Sequence, residues 1–276
     1  MKLSRILSIP VFSVIFVVGF VYYVTIFIFI EDCFGLNSLE GSRNAMIFTF
    51  FAFLLLFSFF VCVLTDPGGV PSGFVPDVEE SLLSNQENKN SRVYQRHCDK
   101  CSAHKPPRAH HCRVCRRCIL RMDHHCVWIN NCVGHRNYKS FVVLVFYATI
   151  ASGYSLIMIL NCALQKDLDF SGKMPLKIFY ITCGLMILGL TLTLGTLLSW
   201  HIYLISRNMT TIEYYDGKRA AWLAKKSGLS CHHPFDVGAL KNVTLVLGPN
   251  ILKWFWPTAV SHIKDGLSFP TARDNS

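Results

Sequence analysis

A chain of 276 residues that is 51% hydrophobic but only 16% charged is too apolar for one ordinary water-soluble domain. Its apolar residues fall in long runs without a polar stripe at helical spacing, which excludes buried helices of a globular core. The net charge of +10 does not point to nucleic acid, because basic residues beside membrane segments set topology and meet anionic headgroups; no nucleic-acid partner is expected.

Four windows reach the roughly 20 apolar residues that a bilayer crossing needs. They run from about Pro10 to Ile30, Ala45 to Thr65, Phe141 to Leu164 and Ile178 to Ile205, and none contains Lys, Arg, Asp or Glu. The first exceeds the roughly 7 to 15 apolar residues of a secretory signal and has no small-x-small cleavage site before Glu31, so it reads as an uncleaved helix. His201 is the one ionisable residue of the kind a transporter would need inside its spans, which argues against that class.

Basic residues decide the sidedness. Lys2 and Arg5 precede the first span, twelve Lys or Arg lie between Asp66 and Lys139, and nine follow Ile205. The two opposite loops hold Arg43, Lys166, Lys173 and Lys177 beside Glu31, Asp32, Glu40, Asp167 and Asp169. The positive-inside rule therefore puts both termini and the central segment in the cytosol. The sequons at Asn208 and Asn242 are then cytosolic and stay unglycosylated.

The expected divisions are residues 1–66 (N-terminal segment and first two spans), 67–96 (linker), 97–139 (cysteine-rich domain), 140–206 (last two spans) and 207–276 (C-terminal tail). The linker is rich in Gly, Pro, Ser, Asn and Glu without periodicity. From His97 to Cys132 the chain is dense in Cys, His and Arg but nearly lacks large aliphatics, so something other than an apolar core must fold it. Seven of the twelve cysteines fall there: Cys98, Cys101, Cys112, Cys115, Cys118, Cys126 and Cys132. A cytosolic setting disfavours disulfides, and the CxxC spacings favour zinc.

Two closed, four-coordinate zinc sites need eight ligands: seven Cys with one His, or six Cys with two His and one thiol left over. Spacing alone does not choose. Cys126 nevertheless differs from its companions. It is flanked by Asp123, His124 and His125, the parts of a base-activated nucleophile, and it precedes a membrane helix by about fifteen residues.

Four other cysteines, Cys33, Cys62, Cys162 and Cys183, lie in or beside spans and read as small apolar residues without a role. Cys231, in the tail, reads as a lone exposed thiol open to lipidation rather than a third metal site.

The ordered set of motifs resembles the DHHC-type protein S-acyltransferases, or palmitoyltransferases. It comprises Asp66-Pro67-Gly68 after the second span, the cysteine-rich domain with Asp123-His124-His125-Cys126, Thr210-Thr211-Ile212-Glu213 after the fourth span, and a tail motif around Asn242. The resemblance implies an all-α membrane protein, with four transmembrane helices and a cytosolic zinc-stabilised cysteine-rich domain between helices 2 and 3. It implies one structural zinc on Cys98, Cys101, His111 and Cys118 and a second on Cys112, Cys115, His125 and Cys132. Cys126 is the implied nucleophile, His124 its base and Asp123 the group that orients the base.

The implied reaction moves a palmitoyl group from acyl-CoA to cytosolic cysteines of membrane-associated client proteins, through a covalent acyl-Cys126. Golgi or another endomembrane is the implied location, with the plasma membrane next. Arg117, Arg121, Arg136 and Lys139 are the candidate cations for the CoA phosphates. Small residues in the third span (Ala148, Ala151, Ser152, Ser155) and fourth (Gly184, Gly189, Gly195) suit close helix contacts or an acyl slot. The resemblance also suggests that Thr211 contacts Asp123, and "ILKWFWP", from Ile251 to Pro257, reads as a segment lying on the bilayer surface. Val127 departs from the proline common in the family at that position, outside every assigned ligand. The competing class is a zinc-stabilised membrane adaptor or ubiquitin-ligase-like module, in which Cys126 is itself a ligand and no acyl-enzyme forms.

Overall fold

The computed structural model describes residues 5–76, 97–165, 174–226 and 233–272. Lys2, most of the expected linker, Lys166, Asp167, Asp169, Lys173 and Cys231 lie outside the described residues.

Among the described residues, four helices are long and apolar enough to cross a membrane: α1 (Ile9–Phe34), α2 (Leu39–Leu64), α3 (Tyr138–Gln165) and α4 (Met174–Ser206). The first, third and fourth contain their expected apolar windows and run past them, and the second starts before its window and ends one residue short of it, at Leu64. Once a helix is nucleated, each added residue gains a hydrogen bond at little cost, so α2 takes in Glu40 and Arg43 before its apolar run begins. Pro10 and Pro175 fall in first turns, where a missing N–H costs nothing. Within α1, Thr25–Ile30 forms a π-helical turn.

The chain divides into two compact units. The first, Met1–Leu64 with Ser140–Ile202, holds α1, α2 and nearly all of α3 and α4. In it α1 and α3 are joined twice. Thr25 and Ser155, both fully buried, share a hydrogen bond of 2.6 Å, and Cys33 and Cys162 form a disulfide with Cα atoms 5.4 Å apart. That pairing corrects the expectation that these two cysteines have no role. Cys62 and Cys183 are buried, as expected of small apolar residues. The small residues divide by use. A Cβ on Gly184 would come within 3.3 Å of Ile159, a close helix contact, whereas Gly189 and Gly195 have nothing within 4 Å. His201 is buried edge-on against Phe141, with ring centroids 5.2 Å apart.

The second unit, Thr65–Lys139 with Tyr203–Ser276, contains α5 (Thr211–Lys226), α6 (Ala239–Leu247) and six short strands. The strands are β1 (His97–Cys98), β2 (Ala103–His104), β3 (His110–Cys112), β4 (Arg117–Ile119), β5 (His124–Cys126) and β6 (Asn131–Val133). They pair as three antiparallel ladders, β1 with β2, β3 with β4 and β5 with β6. Their apolar centre is small: Cys112, Ile119, Met122 and Cys132, with Cys115 and Ile212 packed against it. Four of those six side chains are sulfur-bearing, so the ladders have little aliphatic surface to bury.

Candidate active site and metal centres

Hairpin register brings the metal-type ligands together. The β3–β4 ladder sets His111 opposite Cys118, and the β5–β6 ladder sets His125 opposite Cys132. Each CxxC turn supplies the other two positions, closed by Cys101 N–H to the Cys98 carbonyl at 3.1 Å and Cys115 N–H to the Cys112 sulfur at 3.3 Å.

The result is two clusters, Cys98–Cys101–His111–Cys118 and Cys112–Cys115–His125–Cys132, whose ligand atoms all lie within 4.8 Å of one another. In the first, His111 Nδ1 lies 3.5 Å, 3.2 Å and 3.9 Å from the sulfurs of Cys98, Cys101 and Cys118. In the second, His125 Nδ1 lies 3.6 Å, 3.6 Å and 3.5 Å from those of Cys112, Cys115 and Cys132. A tetrahedral ion with Zn–S of about 2.3 Å and Zn–N of about 2.0 Å requires edges of roughly 3.6 Å between nitrogen and sulfur. The donor sets and spacings fit a metal in both places.

Cys126 belongs to neither cluster. The reason is strand geometry: successive side chains of β5 point to opposite faces, so His125 turns toward its cluster while His124 and Cys126 share the other face. His124 Nδ1 lies 2.7 Å from Asp123 Oδ2, and Cys126 is near enough to His124 to act on its pKa. Burial works to lower the His124 pKa, but Asp123 and Cys126 outweigh it and raise the imidazole to about 9. The Cys126 residue is 8% exposed, and the two residues that follow it, Val127 and Trp128, are 60% and 63% exposed.

Asp123 is fully buried and is held from α5. Thr211 donates its N–H to Oδ1 at 2.8 Å and its hydroxyl to Oδ2 at 2.9 Å. The start of α5 is itself fixed by a reciprocal cap: Glu213 N–H donates to Thr210 Oγ1 at 3.2 Å, and Thr210 N–H donates to Glu213 Oε2 at 2.9 Å. A helix cap at Thr210 and a Thr211–Asp123 contact coexist.

Sequence reasoning missed Arg108. Its guanidinium is buried between the rings of Phe235 and Phe269, 4.5 Å and 4.8 Å from their centroids. It donates from Nε and Nη2 to both oxygens of Glu213 at 2.7 Å and 2.8 Å, and to the carbonyl and Oδ1 of Asn208 at 2.7 Å and 3.2 Å. Burial alone would raise the Glu213 carboxyl, but Arg108 holds it below its ordinary value. Arg108, Arg121 and Asn208 all have left-handed backbones, with φ of 64°, 41° and 48°. Strain of this kind persists only where surrounding contacts over-determine it, typically near functional sites. The one signal in the sequence was an arginine after Pro106-Pro107 beside the ligand His111.

The four cations named for CoA phosphates have different fates. Lys139 is buried and donates all three ammonium protons to backbone carbonyls, of Leu247 at 2.7 Å, Lys253 at 2.9 Å and Ala259 at 2.8 Å. Arg121 is buried over the Tyr138 ring and bonded to Asn208 Oδ1 at 3.3 Å; burial and the nearby Arg108 lower its pKa to about 10. Arg117 is part-exposed and paired with Asp66 at 2.7 Å, and Arg136 is exposed.

Lys139 instead ties the tail to the first turn of α3. Lys139→Met should leave three carbonyls unanswered, at roughly 1–3 kcal/mol for each buried acceptor, and limited proteolysis between Leu247 and Ala259 should quicken about tenfold or more; an unchanged rate would refute the tie. Asn242 secures the same tail, donating to the Ser206 carbonyl at 2.8 Å. The side chains of both sequon residues, Asn208 and Asn242, are buried and hydrogen-bonded, which leaves neither amide open to a glycan. In the "ILKWFWP" segment Ile251 and Leu252 are 63% and 88% exposed.

Residues 91–218 match the family model described as DHHC palmitoyltransferase. The chain is 57% identical over 93% of its length to probable protein S-acyltransferase 15 of Arabidopsis thaliana, all of which is covered. It is 48% identical over 97% of its length to probable protein S-acyltransferase 16 of the same plant, covering 94% of that protein. It is also 36% identical to human palmitoyltransferase ZDHHC3 over 71% of this chain and 67% of that protein. With this identity over nearly the whole chain, on four apolar helices and two metal-ready clusters that leave one cysteine aside, the protein belongs to the DHHC palmitoyltransferase family of protein S-acyltransferases.

Proposed function

We propose that the protein transfers a long-chain acyl group, palmitoyl in the first instance, from acyl-CoA to cysteine thiols of membrane-associated client proteins by a two-step exchange on Cys126. What supports this most is a single arrangement: a cysteine outside both ligand clusters, on the same strand face as a histidine that a buried aspartate holds at 2.7 Å. A thiolate, not a thiol, attacks thioesters. His124 takes the Cys126 proton on the ring nitrogen that Asp123 leaves free, and Asp123 stabilises the imidazolium.

The Cys126 sulfur then attacks the thioester carbonyl carbon. The CoA thiolate leaves with the proton from His124. In the second step a client thiol gives its proton to His124 and attacks the acyl carbon, and Cys126 departs as the leaving group, restored for the next turnover. Arg136 and Arg117 are the cations we assign to the CoA phosphates.

Residues 97–139 form the catalytic segment in this reading, and each cluster holds a zinc ion. Four protein ligands per ion leave no open position, so the metal's contribution is to fold the segment. The termini and the site face the cytosol, in an endomembrane such as the Golgi, with the plasma membrane as the next choice; the sidedness rests on the distribution of Lys and Arg.

Purified protein incubated with labelled palmitoyl-CoA should acquire hydroxylamine-labile label, and Cys126→Ser should lower it more than about a thousandfold while zinc stays near two per chain. Absence of label from the unaltered protein would defeat the enzyme reading. Loss of one zinc from Cys126→Ser would favour the adaptor.

A further inference from the structure

The disulfide between Cys33 and Cys162 lies in the helical unit, and no step of the acyl transfer uses it. Cys33 is near the C-terminal end of α1, and Cys162 is near the C-terminal end of α3, 129 residues later in the chain. Their Cα separation of 5.4 Å falls in the range of bridged cysteines, and the Cys162 residue is 1% exposed. Two polar contacts lie at the same end: Asp32 with Tyr180, and Leu36 N–H with Glu31 Oε2 at 2.6 Å. Thr25 and Ser155 add the second link between the same two helices.

The position of the pair along its helices matters more than the bond alone. Cys162 lies roughly 36 Å along α3 from Tyr138, at about 1.5 Å per residue, which is the thickness of a hydrocarbon core with part of one headgroup layer. A crossing helix therefore carries Cys162 to the side of the membrane opposite the residues that precede Tyr138, among them both ligand clusters. Clusters of this kind need thiolates, whereas a lasting disulfide needs an oxidising compartment. One chain carries both chemistries, and the helix separates them by a bilayer.

We propose that Cys33–Cys162 is a structural cross-link made in an oxidising lumen, which staples α1 to α3 on the face of the membrane opposite the metal clusters. Its formation balances as thiol–disulfide exchange: an oxidised dithiol exchange protein of the lumen accepts two electrons. One cysteine attacks that protein's disulfide, and the second displaces it from the mixed disulfide, leaving it as a dithiol. The protein accordingly reaches its membrane by a route that exposes this face to the lumen. The inference stands apart from the acyl-transfer reading, since it needs neither Cys126 nor acyl-CoA.

The test is to translate the full chain in a reducing cytosolic extract, with or without sealed microsomal vesicles. Thiols are blocked with N-ethylmaleimide in denaturant, the chain is reduced with a phosphine, and newly exposed thiols are counted by the mass step of a polyethylene glycol maleimide. Chains made with vesicles should gain two adducts on reduction, and chains made without vesicles none. Cys33→Ala and Cys162→Ala should each gain none, and Cys126→Ser should still gain two. No gain in the presence of vesicles, an equal gain without them, or a gain of two surviving in Cys33→Ala each overturns the proposal. A chain that fails to take up acyl label yet gains two adducts would sink the enzyme reading and leave this one intact.

Discussion

If each cluster holds zinc as proposed, treatment with a chelator should cost the protein the fold of residues 97–139 and all acyl transfer, while its membrane helices persist. The three ladders contain strands of two or three residues each, and their apolar centre is mostly sulfur. Little hydrophobic burial offsets the entropy of ordering that segment. Structural zinc in small domains supplies on the order of 10 kcal/mol of apparent binding energy that serves as folding energy. His125→Ala should therefore abolish protease resistance of the segment, whereas Cys126→Ser, one residue away, should preserve it. A demetallated protein, verified free of zinc, that kept its protease resistance would show that the ladders fold without metal.

The second large effect falls on a residue that touches no reactant in the proposed scheme. Arg108→Met should destabilise the unit by about 3–5 kcal/mol, because it leaves the Glu213 carboxylate buried without its partner. The double substitution Arg108→Met with Glu213→Leu should recover much of that loss. Catalysis should fall as well. Glu213 caps Thr210, the same turn of α5 presents Thr211 to Asp123, and Asp123 orients His124. A pH dependence follows with a definite sign. The Glu213 carboxyl is held below its ordinary value near 4.5, so its contribution is fully present above that pH and disappears as pH falls through the depressed folded value. Glu213→Gln should flatten this acid limb of the unfolding curve. If Arg108→Met and the unaltered protein unfold at the same denaturant concentration, the buried pair is not what holds the turn.

The spans were legible because an apolar run of about twenty residues, in a chain this poor in charge, is stable as a helix chiefly when lipid surrounds it. The ligand sets were half legible. CxxC spacing announced metal, but the choice between Cys126 as ligand and as spare thiol came from its neighbours Asp123, His124 and His125 and from the resemblance, since spacing does not reveal which strand face a residue occupies. The ladders around His111 and His125 are too short to print an alternating pattern. Lys139 and Arg121 looked like free cations because they sit beside a membrane helix, yet both are buried, Lys139 donating to three carbonyls and Arg121 to Asn208. Arg108, Asn208 and Phe269 converge from distant parts of the chain, and Cys33 and Cys162 are 129 residues apart; nothing local marks partners so remote.

His111 and Cys112 are consecutive residues of one strand, yet they serve different clusters, and Cys118 of the first falls in sequence between Cys115 and His125 of the second. Two sites threaded through each other in this way would be coupled once metal is supplied. An ion held in one cluster would fix the β3 backbone and so present part of the other's coordination shell.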